Sequence, residues 1–386
     1  MKRTLVLLFV LFFHASSIIR LSLVTQESGD LSLGVETGAI IYVESNDDQT
    51  LLLNIRITNG DADDVGLTAF QLANLGTNDD GTKIGWKVNG AVTIRSANPA
   101  TIAEKMTGFV YFTTSAQAQD GSFFVFSVDQ SRNIGFDGHD LTLVFLNQNL
   151  NLQNEPIYVP QMSSYVSGLQ TLPTTALSIY WDAPLDTYKN ETAYGSVQQR
   201  VFANPLLLNG YYLHFDTVEP FQMFNEVWYI RSNGRVQFNV KPKWVDPNGS
   251  TTSSVTTTGL VTCSYAPENV TINLLTNSAT TESSGVVILY NVISAVVFKI
   301  GGLQFQINNR NDANFDQFTG LASGPAATFQ ILSDYPVAGT FAVQYFHIDG
   351  PLPHSVLTTT NVAPKHNDVL LIITFCTISV FSQYVY

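Results

Sequence analysis

No apolar period of 3.6 residues is sustained anywhere along the 386 residues, and that absence constrains the fold more than any other feature. Short runs rich in Val, Ile, Phe, Tyr and Thr recur instead, each bounded by Gly, Asn, Asp or Pro. Such a chain has no apolar stripe to bury along a helix. It buries alternate side chains of strands, the pattern of sandwiches and barrels. Asn54-Ile55-Arg56-Ile57-Thr58 shows the two-residue alternation of a half-buried strand. In the first half, strands are predicted at 39–43, 51–58, 91–95, 109–113, 123–128 and 141–146, with one helical turn at 102–106. A bridge at 160–175, holding Ser163, Ser164, Ser167, Gly168 and Pro173, leads to a second set. Those strands are predicted at 177–181, 211–215, 227–231, 236–240, 259–264, 270–274, 286–290, 296–300, 303–307, 327–332 and 341–348. The expectation is an all-β fold of two consecutive antiparallel β-sandwich domains, residues 18–165 and 175–350.

Turn chemistry sharpens two pairings. Asn233-Gly234 lies between Trp228-Tyr229-Ile230 and Val236-Gln237-Phe238, so a type I′ hairpin is predicted there. Gly301-Gly302, between Val297-Phe298-Lys299-Ile300 and Leu303-Gln304-Phe305, predicts a second hairpin. Residues 109–129 and 328–349 share a plan of strand, small-residue turn, Gly-Ser/Thr-Phe and a strand ending in Asp, which suggests a duplicated hairpin. The second of these, Ala327-Thr328-Phe329-Gln330-Ile331-Leu332-Ser333 followed by Gly339-Thr340-Phe341-Ala342-Val343-Gln344-Tyr345, resembles the closing hairpin of CUB-like domains in nematode secreted proteins. The resemblance covers about a hundred residues. It implies a CUB-like or jelly-roll-like sandwich, a surface or extracellular location and a link to innate defence. The paired cysteines usual near the start of such domains are missing.

The two ends speak of export and of a membrane. Met1-Lys2-Arg3, an apolar run from Leu5 to Phe13, then His14-Ala15-Ser16-Ser17 have the three parts of a secretory signal, with cleavage expected after Ser16 or Ser17. The alternative for this run is a buried N-terminal strand. At the other end, a spacer at 351–368 precedes an apolar tail at 369–386, which is shorter than a spanning helix. The tail fits a GPI-attachment signal with Asn361 as the attachment residue, a terminal strand, or a short membrane anchor. Only 13% of residues are charged and the net charge is −13, which excludes unaided nucleic-acid binding and leaves Ser, Thr, Asn, Gln and glycan to solvate the surface. Two cysteines, Cys263 and Cys376, give no disulfide framework.

Candidate sites are few. Asn190, Asn248 and Asn269 head N-x-[ST] sequons and are the expected glycosylation positions. The acidic groups at 61–64, 78–81, 137–140 and 312–316 resemble calcium loops in part, but Gln317 and Ser323 stand where an EF-hand needs Gly and Glu. The histidines His139, His214, His347 and His354 show no metal-ligand spacing, and no catalytic motif or cofactor fingerprint occurs. Asp182 with Asp186, or Asp216 with Glu219, are the carboxylate pairs that a glycosidase would need. Trp181, Trp228, Tyr229 and Trp244 are aromatics able to stack on a sugar, with Trp244 best placed for exposure. The expected function is a surface recognition or adhesion module binding a protein or glycan without catalysis, metal or cofactor. The alternatives are a structural extracellular coat or a carbohydrate-active enzyme.

Overall fold

Several apolar runs in this chain do not alternate, and the fold explains why. Phe109–Phe112, Leu141–Asn147 and Val227–Ser232 are strands buried on both faces, so each must be sandwiched between two other layers. The computed structural model describes residues 11–12, 17–22, 30–60, 65–97, 106–150, 161–185, 189, 200–263, 269–277, 281–292, 296–307, 316–323, 328–333 and 339–352. It is all-β, apart from one-turn helices such as Gln49–Leu52, Ala69–Ala73 and Ser115–Gln119.

The larger sheets fall into three facing pairs. In spatial order, sheet A carries Leu11–Phe12, Asp30–Gly34, Val92–Ser96, Ile55–Asn59 and Leu67–Thr68. Sheet B carries Ser17–Arg20, Phe109–Phe112, Ile40–Glu44 and Trp86–Lys87. Sheet C carries Phe123–Val128, Leu141–Asn147, Val227–Ser232, Leu177–Trp181 and Arg200–Asn204, and sheet D carries Arg132–Phe136, Val236–Pro242, Ser164–Thr171 and Phe221–Met223. Sheet E carries Thr257–Cys263, Gly339–Asp349, Glu282–Val292 and Asp316–Ser323. Sheet F carries Ser250–Thr251, Asn269–Asn273, Thr328–Ser333, Val296–Ile300 and Leu303–Ile307. Sheets A and B enclose a core around Ile41, Ile57 and Val110; C and D enclose Phe145, Trp228 and Phe238; E and F enclose Ile288, Phe298 and Val343.

The sandwiches also pack on one another. The outer face of B meets the outer face of C through Tyr42, Phe109, Tyr111, Val144, Tyr180 and Tyr229. Tyr180 and Tyr229 stack there with ring centroids 4.6 Å apart and planes 4° from parallel. Leu260, Leu289 and Ala342, on the outer face of E, join the core of the middle sandwich. Beside them Val287 and Phe346 pack under a hairpin of Leu206–Leu208 with Tyr211–Leu213.

Three expectations are corrected. The division between residues 165 and 175 falls inside the Ser164–Thr171 strand, which pairs with Val236–Pro242 on one side and Phe221–Met223 on the other. The middle sandwich therefore draws strands from both halves of the expected two-domain plan. Two of the small polar residues that suggested a linker, Ser163 and Ser164, are buried donors: Ser164 Oγ donates to Asn147 and accepts from Trp228 Nε1 at 3.0 Å. Second, Asn233-Gly234 is no hairpin turn. Val227–Ser232 already has Leu141–Asn147 and Leu177–Trp181 on its two edges, so the chain crosses to sheet D. Neither Asn233 nor Gly234 adopts a positive φ; Gly234 is needed because a Cβ there would meet Thr175 Oγ1 at 2.5 Å. The left-handed pair is Asn209 (φ 51°) and Gly210 (φ 85°), which turns the exposed hairpin. Third, neither repeated segment is a hairpin. Phe109–Phe112 and Phe123–Val128 lie in sheets B and C, and Thr328–Ser333 and Gly339–Asp349 lie in sheets F and E. The Gly301-Gly302 hairpin holds, with Ile300 opposite Leu303.

At the expected export segment, Leu11–Phe12 pair in parallel with Leu33–Gly34, and Ser17–Arg20 pair with Phe109–Phe112. The turn predicted at 102–106 lies outside the described residues save Met106, and residues 353–386 lie outside them entirely. Among the described residues no helix is long and apolar enough to cross a membrane.

The joint between the first two sandwiches is pinned by a sealed ion pair. Lys83 Nζ lies 3.1 Å from Glu44 Oε2, while Ser127 Oγ donates to Glu44 Oε1 at 2.9 Å and Gln148 Nε2 donates to the same oxygen. Burial holds the Glu44 carboxyl above its ordinary range, with Lys83 pulling it back. Removing one partner of such a pair strands the other, so Lys83→Met is expected to cost about 3–5 kcal/mol in urea unfolding. A loss under about 1 kcal/mol, the range of an exposed pair, would show that the joint does not rest on it.

Candidate functional site

A cleft of about 570 Å³ opens where sheet D meets the C-terminal sandwich. This is within the range of ligand pockets, roughly 300–1,000 Å³. Tyr165, Gln170, Phe221 and Gln222 form the wall on the middle sandwich; Leu260, Thr262 and Tyr345 form the opposite one. Val245–Pro247 and Ser250–Ser253 make the lip.

The lip is held from behind by two side chains on one short segment. Gln222 acts as a substitute strand: its Oε1 accepts from Val245 N at 2.6 Å and its Nε2 donates to Val245 O. Glu219 is buried, and its Oε1 accepts from Ser253 N at 2.7 Å, Ser253 Oγ at 2.9 Å and Thr257 Oγ1 at 3.0 Å. Burial first, and the charge of Glu219 second, push the Tyr345 phenol well above its ordinary value, so it stays a neutral hydroxyl. The Tyr345 ring lies over Gly259, where a Cβ would meet its Oη at 2.3 Å; the glycine makes room for it.

The predicted residues separate clearly. Trp181, Trp228 and Tyr229 are core residues; Trp228 stacks on Phe145 at 4.3 Å. Trp244 is half-buried and does not line the cleft, but the three residues after it do. Its loop is fixed on both sides, by Ser163 Oγ donating to Lys243 O at 3.0 Å and by Gln222 on Val245. Asn248 is exposed in the turn at the lip, and its Oδ1 accepts from Thr271 N at 2.9 Å. Thr271 belongs to the Asn269 sequon, so two of the three sequons lie side by side; Asn269 begins a strand opposite Leu332. Asn190, Asn361 and Asp186 lie outside the described residues. Asp216 and Glu219 both line the cleft, Asp216 exposed and Glu219 fixed by its three donors. Among the described residues no three His, Cys, Asp or Glu converge as a metal site.

Sequence spacing missed Gln222, Tyr345 and a sealed cluster inside the C-terminal sandwich. There, Ser284 Oγ lies 2.6 Å from His347 Nδ1, and His347 Nε2 lies 3.6 Å from Glu282 Oε2. The order of groups is that of a hydrolase triad. All three side chains are buried, however, so the serine has no approach for a substrate.

A family model described as a transmembrane glycoprotein matches residues 36–379. The chain belongs to the transmembrane glycoprotein family. No curated protein matches the sequence. Among solved structures, an uncharacterized protein of Listeria monocytogenes EGD-e aligns at 11% identity and TM-score 0.19, over 70% of this chain and 28% of that one. The insecticidal delta-endotoxin Cry8Ea1 of Bacillus thuringiensis aligns at 10% identity and TM-score 0.17, over 48% of this chain and 43% of that one. A cycloalternan-forming enzyme of Listeria monocytogenes aligns at 11% identity and TM-score 0.18, over 70% and 28%. The chain spans less than half the length of each, and likeness at this level establishes no shared function.

In this member of the family the sealed histidine sets a pH limit. Burial holds the His347 ring below its ordinary value, against the opposing charges of Glu282 and Asp349. The folded chain binds this proton less readily than the unfolded chain, which protonates the ring below about pH 6.5, so this contribution is complete above that pH and is lost as the pH falls through the lowered folded value. Urea unfolding between pH 7 and pH 5 is expected to lose up to about 1.4 kcal/mol per pH unit from this group. His347→Asn is expected to flatten that slope; an unchanged slope would remove His347 from the account.

Proposed function

We propose that this member of the transmembrane glycoprotein family is a surface recognition module that takes a glycan, or a protein carrying one, into the cleft between its middle and C-terminal sandwiches, with no bond-making step. The observation that carries this reading is the fixed lip. Gln222 and Glu219 hold Val245 and Ser253 in place, so little ordering entropy is left to lose on binding. The lining supports a polar ligand with apolar faces: phenol, carboxamide and hydroxyl groups beside Phe221, Leu260 and Val245. Trp244 supplies a half-buried ring at the margin.

The reading includes export through residues 1–17, glycans at Asn190, Asn248 and Asn269, and attachment through the C-terminal tail, by GPI at Asn361 or by the tail itself. A glycan on Asn248 stands beside the cleft mouth, because Pro247 and Ser250 on either side of its turn line the cleft. The resemblance to nematode CUB-like secreted proteins supports a role in defence at the cell surface.

The test is a glycan array probed with the intact glycoprotein. Saturable binding is expected, weakened at least about tenfold (about 1.4 kcal/mol) by Gln222→Leu at unchanged strand content. Saturable binding indifferent to Gln222→Leu and Trp244→Ala, or no saturable binding, contradicts the cleft as a glycan site. Phosphatidylinositol-specific phospholipase is expected to release the protein from membranes if the anchor is GPI; retention assigns the anchor to the tail.

A further inference from the structure

The Leu206–Leu213 hairpin has one buried face and one bare one. Leu206 and Leu208 pack with Phe215 on Val287 and Phe346, while Leu207 and Tyr212, directly opposite each other, point away from the body. Leu207 is 51% exposed, Tyr211 46% and Tyr212 71%, a concentration of large exposed apolar side chains within six residues. The hairpin is stiff. Asn209-Gly210 supplies its two left-handed residues, and the Asn204 carboxamide closes its base, accepting from Phe215 N at 3.0 Å and donating to Phe215 O at 2.8 Å. It is also uncharged: residues 201–215 contain no Asp, Glu, Lys or Arg in a chain of net charge −13.

We infer that this hairpin is a membrane footprint, with Leu207 and Tyr212 resting in the headgroup region of the bilayer that carries the protein. Three observations select lipid as the occupant. The described body ends at Leu352, which packs against the same apolar cluster as the hairpin's inner face, so the chain leaves the body beside it. Only residues 353–368 separate that exit from the apolar tail at 369–381, a length that spans at most about 55 Å fully extended. Finally, tyrosine beside leucine, with no charge to desolvate, is the composition that settles at a membrane–water interface. The acidic remainder of the surface is poorly suited to approach anionic headgroups. The inference rests on tail attachment as proposed above. The body is then held close to the bilayer by two points, the tail and the hairpin.

The test uses the intact membrane form in phosphatidylcholine vesicles containing dibrominated phosphatidylcholine, which quenches indole at bilayer depth. Tyr212→Trp adds one indole at the hairpin, and Val65→Trp adds one at a 74% exposed position of the first sandwich. Both sites are on the surface, so folding is preserved, and the native cysteines stay in place. The added emission of Tyr212→Trp is expected to be blue-shifted and strongly quenched, and that of Val65→Trp to be neither. Equal, unquenched emission from both variants in vesicle-bound protein overturns the footprint while leaving tail attachment intact. Failure of the protein to enter the vesicle fraction overturns the attachment itself. Emission from the Tyr212→Trp variant that is blue-shifted only at high protein density and unquenched by bromolipid overturns the lipid occupant in favour of a second copy of the chain.

Discussion

Backbone groups at the joints between sheets have no ladder partner, and an unpaired buried amide costs about 1–3 kcal/mol. This chain answers that constraint with carboxamide side chains. Gln344, fully buried on sheet E, accepts from Ala203 N at 3.0 Å and donates to Ala203 O at 2.8 Å, so it extends sheet C by one false rung and joins the last two sandwiches. Asn59 does the same inside the first sandwich, accepting from Asn89 N at 2.7 Å and donating to Lys87 O. Asn147 donates to Met223 O at 3.0 Å and Asn225 O at 2.8 Å, and Gln222 and Asn204 repeat the device at the cleft lip and the hairpin base. With 13% charged residues, few ion pairs are available for these joints. A neutral amide carries both donor and acceptor at modest desolvation cost, whereas burying a charge is expensive.

The functional features follow from these clamps. A glutamine from the strand beneath fixes the loop that carries Trp244 and Asn248, and an asparagine squares the hairpin that bears the exposed tyrosines. The cleft lip and the exposed hairpin thus both hang on rigid sheets rather than on free loops. Apolar contact between sandwiches adds to this: the tyrosine layer between sheets B and C removes large amphipathic faces from water, each aromatic burying about 150–250 Å².

Much of the fold is written locally. Predicted strands 123–128, 177–181, 296–300 and 303–307 match Phe123–Val128, Leu177–Trp181, Val296–Ile300 and Leu303–Ile307 residue for residue. The period-two burial of Ile55–Asn59 also matches its alternation. What escaped local reading is partner choice. Trp228-Tyr229-Ile230 is apolar on both faces, which signals a central strand, and a central strand leaves no edge for the hairpin partner that Asn233-Gly234 suggested. Ser163 and Ser164 read as a linker because burial of a serine depends on distant acceptors, here Lys243 O and Asn147 Oδ1. The short helices were legible in principle: Thr68 with Gln71 and Thr114 with Gln117 form capping boxes, a spacing that a three-residue scan detects. Of the site, Trp244 and Asn248 fell near the cleft because the Asp-Pro-Asn-Gly run beside Trp244 and the sequon at Asn248 mark a loop. Gln222 and Tyr345 did not stand out, and Glu219 did so only as half of a carboxylate pair, since their roles arise only when residues far apart in sequence converge.

These clamps make a definite demand: three sandwiches joined by buried amides, a sealed ion pair and a tyrosine layer must melt as one body. Scanning calorimetry of the intact glycoprotein in mild detergent at neutral pH measures this directly. The account predicts a single transition whose calorimetric enthalpy equals its van't Hoff enthalpy. Two or three resolved transitions would show that the sandwiches are independent beads, with a cleft that no joint holds in shape.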